Sequence, residues 1–281
     1  MSDKLKETMP DSADKEAVVD TVRDRYAGIA KAGSSCCGPS ASSCCGDAAN
    51  VASGLGYSVA DLELLPEGAN LGLGCGAPLQ HLELGEGEAF LDLGSGAGID
   101  ALIAAKKVGP SGRVIGVDMT PEMLAKAREN AAGHDNVDFR EGRLENLPVD
   151  DASVDAVTSN CVINLVPDKA AVFQEIARVL RPGGRLVISD VVLDGQLPEA
   201  ITNDVLAYVG CVAGAEQRET YFQLLADAGL SDVEILKDVD FLELTAEALP
   251  AEVQAIAATT GITMDEVRGI VRSVTYRATK A

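Results

Sequence analysis

Phe90-Leu-Asp-Leu-Gly-Ser-Gly-Ala-Gly-Ile-Asp100 decides the fold of this 281-residue chain. Leu91 and Leu93 complete a short apolar run with the dimensions of a buried strand. Gly94, Gly96 and Gly98 then supply a tight turn into a helix, with a backbone bare enough for a ligand to approach. Asp92 sits inside the strand just before that turn. Outward from the motif, apolar runs at 89–93, 113–118, 137–141, 154–159 and 185–190 alternate with helical patterns at 99–108, 121–132 and 168–180. Such alternation predicts a parallel sheet covered by helices. Thr120 and Pro121 make a favourable helix start, and Pro182-Gly183-Gly184 ends the last of these helices.

Asp118 closes the second strand, where a carboxylate can accept hydrogen bonds from two ribose hydroxyls. A dinucleotide site would read G-x-G-x-x-G, with a helix N-terminus aimed at a pyrophosphate. Here the spacing is Gly94-Ser-Gly-Ala-Gly98. S-adenosylmethionine has no phosphate but carries an amino group, a carboxylate and a ribose, so Asp92 with Asp118 suits it better. On these residues the segment from about 88 to 238 resembles the class I, Rossmann-like methyltransferases. That resemblance implies a mostly parallel sheet of the seven-stranded type with flanking helices. It also implies a cofactor site drawn from Asp92, Gly94, Ser95, Gly96, Asp118 and Met119. Leu144 and Glu145 would frame the adenine, and Asn160 would lie near the methionine moiety.

The remaining chain adds an N-terminal helical arm and a small C-terminal α+β region. We divide it at 1–66 (tail, helices and a cysteine-rich segment), 67–195 (cofactor-binding core), 196–240 (substrate-site segment and end of the sheet) and 241–281. In the arm, Val18, Val19, Val22, Tyr26 and Ile29 fall on one helical face. A second helix is expected at 58–65, capped by Ser58. Segments 198–209 and 217–228 read as helical and 233–236 as a strand, and a short C-terminal region ends with 274–278.

The seven cysteines carry the substrate reading. Cys36, Cys37, Cys44 and Cys45 lie in a Ser/Gly/Pro-rich strip that cannot pack a core of its own. Cys75 stands in a glycine-rich loop, Gly72-Leu-Gly-Cys-Gly76. Cys161 follows the fourth strand, at the carboxyl edge where open α/β sheets bind ligands. Cys211 lies in Ala207-Tyr-Val-Gly-Cys-Val-Ala-Gly214. A free cysteine also serves as a small buried hydrophobe, and spacing alone does not bring three distant thiols together. Ser159-Asn-Cys-Val-Ile-Asn-Leu-Val-Pro-Asp-Lys169 is similar to a signature of the arsenite methyltransferases. So are Gly74-Cys-Gly76, Val117-Asp-Met-Thr120, Ser189-Asp-Val191 and the Cys211 segment. The resemblance implies that Cys75, Cys161 and Cys211 are the catalytic ligands holding As(III). It adds a role for N-terminal cysteines such as Cys44 and Cys45, and a thiol reductant, glutathione or thioredoxin in type, for turnover. Free arsenite or a thiol-conjugated As(III) would be the substrate and a monomer the working form.

Soft trivalent arsenic prefers sulfur, and its lone pair attacks a methyl group without a base. His81 and His134, the two histidines of the chain, occupy no catalytic motif. A net charge of −21, from 23 basic and 44 acidic residues, opposes binding to nucleic acid or to an anionic membrane. With no signal-peptide pattern in the N-terminal residues and reduced-thiol chemistry expected, the reading is cytoplasmic. Two competing readings remain: a methyltransferase of a small organic metabolite, and a thiolate metalloid-binding protein without catalysis. Scarcity of aromatic residues weighs against the first, the intact cofactor motif against the second.

Overall fold

The computed structural model describes residues 14–32, 48–63, 65–66, 68–244 and 261–281. Cys36, Cys37, Cys44 and Cys45 fall outside them. The first elements are the helices α1 (Lys15–Ala32), α2 (Ala48–Leu55) and α3 (Val59–Glu63). Ser58 caps α3 as expected, its hydroxyl accepting from Asp61 N at 3.1 Å.

The core then alternates: β1 (Ala89–Leu93), α4 (Ile99–Val108), β2 (Arg113–Asp118), α5 (Pro121–Asn130), β3 (Val137–Glu141), β4 (Val154–Asn160), α6 (Lys169–Val179) and β5 (Leu180–Leu193). Short helices α7 (Glu199–Thr202) and α8 (Val205–Val209) replace the continuous helix expected at 198–209. After them come α9 (Arg218–Asp227), β6 (Leu230–Asp240) and β7 (Val271–Lys280).

The strands form one seven-stranded sheet in the order β3-β2-β1-β4-β5-β7-β6. β1 to β5 run parallel, while β7 is antiparallel to both β5 and β6. The last strand of the chain therefore threads between two earlier ones and belongs to the central sheet. Its position explains why β6 extends well past the expected 233–236: nearly its whole length finds a ladder on β7. Val233 and Ile235, each 40 % exposed, mark β6 as the edge.

β1 and β4 are almost continuously buried, the pattern of strands covered on both faces. α6 ends at Val179, short of Pro182, and Gly183 takes φ +76° beyond it. Thr120 holds the N-cap position of α5 without a side-chain capping bond. Its backbone N–H donates to Asp118 Oδ1 at 2.8 Å instead, and its hydroxyl engages the same carboxylate.

Register brings the functional edge together. Leu93 lies opposite Val117 on one side and Ser159 on the other, and Asn160 lies opposite Ser189. Gly94, Asp118 and Cys161 thus lie at one carboxyl edge, the ligand edge of open α/β sheets, with Asp190 of β5 just past the end of its pairing with β4. α1 packs chiefly on α5, burying Val18, Val19, Val22, Ala27, Ile29 and Ala30. Among the described residues no helix is long and apolar enough to cross a membrane.

Candidate functional site

The glycine turn is shaped for a ligand at one point. A Cβ on Gly94 would strike Val162, and one on Gly98 would press on Phe139. Gly96, with φ +51°, meets nothing within 4 Å, so bare backbone faces open space there. The neighbouring Ser95 hydroxyl is buried without a hydrogen-bond partner. An orphaned buried hydroxyl costs about 1–3 kcal/mol, and a polar ligand in the cradle would relieve that cost.

Two acids flank the turn. Asp118 Oδ2 accepts from Gly96 N at 3.0 Å and Oδ1 from Thr120 N at 2.8 Å. The Thr120 hydroxyl and Met119 N–H engage the same carboxylate, so a vicinal diol would share or displace these donors. Asp92, 3 % exposed, accepts from Thr158 Oγ1 at 3.4 Å. Burial first, and then the nearby Asp100, hold its carboxyl well above the usual range. Burial pushes Asp100 up to about 7. Two dry carboxyls side by side make a favourable seat for a cation such as an amino group.

The cysteines converge at the same edge. Cys75, Cys161 and Cys211 are 2 %, 9 % and 3 % exposed, and all are free thiols. Cys75 Sγ, Cys161 Sγ and an Asp190 carboxylate oxygen lie within 4.8 Å of one another. Cys211 Sγ donates to the Cys161 carbonyl at 2.7 Å. Hydrogen bonds that the Cys161 thiol donates toward Cys211 and Cys75, then burial, raise it well above its usual value. Burial is the chief cause that raises Cys75. Both Cys161 and Cys211 adopt left-handed backbone, at φ +60° and +66°, which is rare outside glycine and concentrates at functional sites.

Local hydrogen bonds explain the Cys161 motif. Cys161 N donates to Ser189 O at 2.8 Å. Three residues on, Asn164 Nδ2 donates to Asp190 Oδ1 at 2.8 Å and to Val191 O at 2.6 Å, stapling the turn to β5. Gly214 is required because a Cβ there would overlap the Asn164 carbonyl oxygen. Ser273 of β7 donates to Cys75 O at 2.8 Å, so the distant end of the chain supports the first cysteine.

Other expected residues fall in different surroundings. Leu144 is buried within the main core cluster, while Glu145 pairs with Arg143 at 2.8 Å. Met119 packs, half-buried, against the cluster holding the three cysteines. Asn160 is fully engaged with protein: its Oδ1 accepts from Cys75 N, and its Nδ2 donates to Gly76 O and to Tyr57 Oη. His81 is exposed and His134 half-buried.

α1 closes the top of the site. Val22 is buried among the cysteines, and Tyr26 Oη donates to Val209 O at 3.3 Å. Ion pairs Lys15–Asp168, Arg143–Glu16 and Lys31–Glu122 tie the helix to three surrounding segments. All are largely exposed, and each contributes about 0–1 kcal/mol. The apolar face, rather than these pairs, holds the helix down.

Sequence reasoning gave no role to Tyr57, Asp190 or Ser273. Asp190 carried the same signal as Asp118, an acid at the carboxyl end of a parallel strand. Tyr57 and Ser273 carried none, since their partners lie 43 or more positions away.

Comparison with known proteins adds four findings. A family model described as a methyltransferase domain matches residues 84–229. An arsenite methyltransferase of Halobacterium salinarum is 48 % identical over 82 % of this chain and 61 % of its own length. One from Aquipseudomonas alcaligenes is 40 % identical over 50 % of this chain and 43 % of its own. The chain thus spans about three fifths or less of these relatives. The crystal structure of an arsenic(III) S-adenosylmethionine methyltransferase from Chlamydomonas reinhardtii superposes with TM-score 0.60 at 34 % identity. That match covers 84 % of this chain and 74 % of the other.

Proposed function

The chain belongs to the arsenite S-adenosylmethionine methyltransferase family, within the class I methyltransferases, and from that premise we propose that it methylates As(III) bound by Cys75, Cys161 and Cys211. The observation that carries this reading is the convergence of three buried free cysteines at the strand edge that also bears the glycine cradle.

The cradle residues fit the cofactor. Gly96 offers bare backbone, Ser95 an unsatisfied hydroxyl, Asp118 a carboxylate at the strand end and the Asp92–Asp100 pair a seat for a cation. When bound, S-adenosylmethionine supplies an electrophilic sulfonium methyl group. The protein's own contribution is to hold the nucleophile. Each thiol proton leaves with an arsenic hydroxide as water, so forming three As–S bonds requires no net proton release. The metalloid is then a pyramid whose lone pair is uncovered and carries no proton. No histidine or other general base is needed, consistent with the peripheral positions of both histidines. Buried walls and α1 exclude water, and fixed orientation lowers the barrier. Arsenic leaves this step formally oxidised, and an external thiol reductant of glutathione or thioredoxin type returns it to the trivalent state.

The test is incubation of the purified chain with arsenite, S-adenosylmethionine and a thiol reductant, followed by chromatographic separation of arsenic species with mass detection. Methylated arsenic that requires the active chain supports the proposal. Intact cofactor binding without methylated arsenic rejects it and moves the substrate to an organic metabolite.

A further inference from the structure

We propose that the same pocket is also a site for a thiophilic divalent cation, zinc above all, with Asp190 as an oxygen ligand beside Cys75 and Cys161. The inference rests on the reading of these thiols as the arsenic pocket and adds a competing occupant.

The geometry comes first. A zinc ion sits about 2.3 Å from thiolate sulfur and about 2.0–2.2 Å from carboxylate oxygen. Ligand atoms already within 4.8 Å of one another need only small rotations to close around it. Cys211, whose thiol donates to the Cys161 carbonyl oxygen, stands beside this set and keeps its proton.

Asp190 is held as outer-sphere partners hold a metal ligand. Its Oδ1 accepts from Asn164 Nδ2 at 2.8 Å and from Val191 N at 2.9 Å. Oδ2 accepts from Tyr221 Oη at 3.1 Å. Its rigid origin on β5, rather than on a loop, fixes the carboxylate beside the thiols.

Charge also balances. Asp190 already interacts with the buried Lys169. A divalent cation that displaces the protons of Cys75 and Cys161 adds two positive charges against two new negative ones. The pocket therefore accepts it without a net buried charge.

Chemistry separates the two occupants. As(III) is satisfied by three sulfur ligands and gains nothing from a carboxylate, whereas zinc readily takes mixed sulfur and oxygen sets. Asp190 thus favours the divalent cation selectively. Since both occupants need Cys75 and Cys161, binding is mutually exclusive, and excess zinc inhibits methylation until a chelator removes it.

The test uses the full, reduced chain with Cys36, Cys37, Cys44 and Cys45 all replaced by Ser, so that other thiols give no signal. Co²⁺ is the probe, because thiolate-to-cobalt charge-transfer bands and intense ligand-field bands report tetrahedral sulfur ligation. The expected result is one equivalent of bound Co²⁺ with both bands, displaced by Zn²⁺ and by arsenite. Asp190→Asn should weaken Co²⁺ by about tenfold or more while changing arsenite affinity far less. Should that variant not fold, Cys161→Ser decides instead, and loss of the charge-transfer band is expected. Absent bands, bands unaffected by arsenite, bands indifferent to Asp190→Asn in a folded variant, or bands that survive Cys161→Ser overturn the proposal. Arsenite-displaceable bands without any arsenic methylation would reject the methyltransferase reading and leave the cation site standing. Methylation without bands would do the reverse.

Discussion

Asn160 accepts a hydrogen bond from the Cys75 backbone N–H at 3.1 Å, tying the end of β4 to the loop that bears the first cysteine. Its amide donates to Gly76 O at 2.7 Å and to Tyr57 Oη at 3.1 Å. Tyr57 in turn donates to the Asp100 carboxylate, 3.0 Å from either oxygen. Cys161 follows Asn160 directly, so one dipeptide sets the positions of two thiols. The acids of the cofactor cradle and the cysteine loop are linked through two side chains.

Replacing Asn160 by Ala leaves Cys75 N and Gly76 O without partners, a cost of about 1–3 kcal/mol for each buried group. Gly74 and Gly76 are packed closely against Asn160 and Ser189, and the Ser273 bond to Cys75 O holds the loop from its other side. Arsenite affinity, measured by equilibrium dialysis with elemental detection, should fall by about tenfold or more. Cofactor affinity decides the residue's second role. A parallel loss assigns Asn160 to the methionine moiety as well, and an unchanged value confines it to the loop.

Cys161 carries sulfur at a position whose backbone, at φ +60°, suits glycine. Left-handed backbone costs a non-glycine residue on the order of 1 kcal/mol or more. Cys161→Gly should therefore retain or raise the melting temperature while abolishing arsenite methylation. Cys161→Ser keeps the shape and the strain and should be equally inactive, with cofactor binding close to that of the parent. Methylation at the parental rate by either variant would reject the thiolate mechanism.

Asp118→Ala tests the ribose assignment. The carboxylate serves the fold too, because it accepts from Gly96 N and Thr120 N. Asp118→Asn is the useful control, since its side-chain oxygen can keep one of these bonds. Cofactor affinity measured calorimetrically should drop strongly in the Ala variant and less in the Asn variant. Arsenite affinity in the absence of cofactor should hold in both. Normal cofactor affinity in the Ala variant would remove Asp118 from the site.

The cradle was legible in the sequence because its determinants are local: three glycines, the strand before them and an acid at the end of the next strand. Cys161 was legible for the same reason, standing directly after a buried strand. Convergence of Cys75 and Cys211 on it is a product of long-range packing, set by Asn160, Ser189 and Ser273, and no local pattern encodes it. β7 illustrates the limit most clearly. The sequence places it only in a small C-terminal α+β region, and nothing in Val271–Lys280 announces insertion between β5 and β6, which depends on edges made by residues far away. Ser58 was read correctly as a cap. Thr120 also holds the N-cap position expected of it but makes no side-chain capping bond, because Asp118, two residues earlier, competes for its backbone and hydroxyl.

Asp100 makes the cofactor-free protein sensitive to pH in a definite direction. Burial raises its carboxyl from 3.8 to about 7, so between roughly pH 4 and 7 the folded state holds a proton that the unfolded state has released. Stability then falls as pH rises through that window and stays lower above it. The melting temperature of the cofactor-free chain should drop by several degrees between pH 5 and 8, and Asp100→Asn should flatten this slope. Tyr57 donates equally well to an amide oxygen, so the Asn variant retains the link to Asn160. A cationic group seated beside Asp92 and Asp100 favours their charged forms, so S-adenosylmethionine should stabilise the protein more at pH 8 than at pH 6. Thermal shifts with and without cofactor across that range measure both effects. A slope unaltered by Asp100→Asn would place the titrating proton elsewhere, and a cofactor shift independent of pH would separate the amino group from this acid pair.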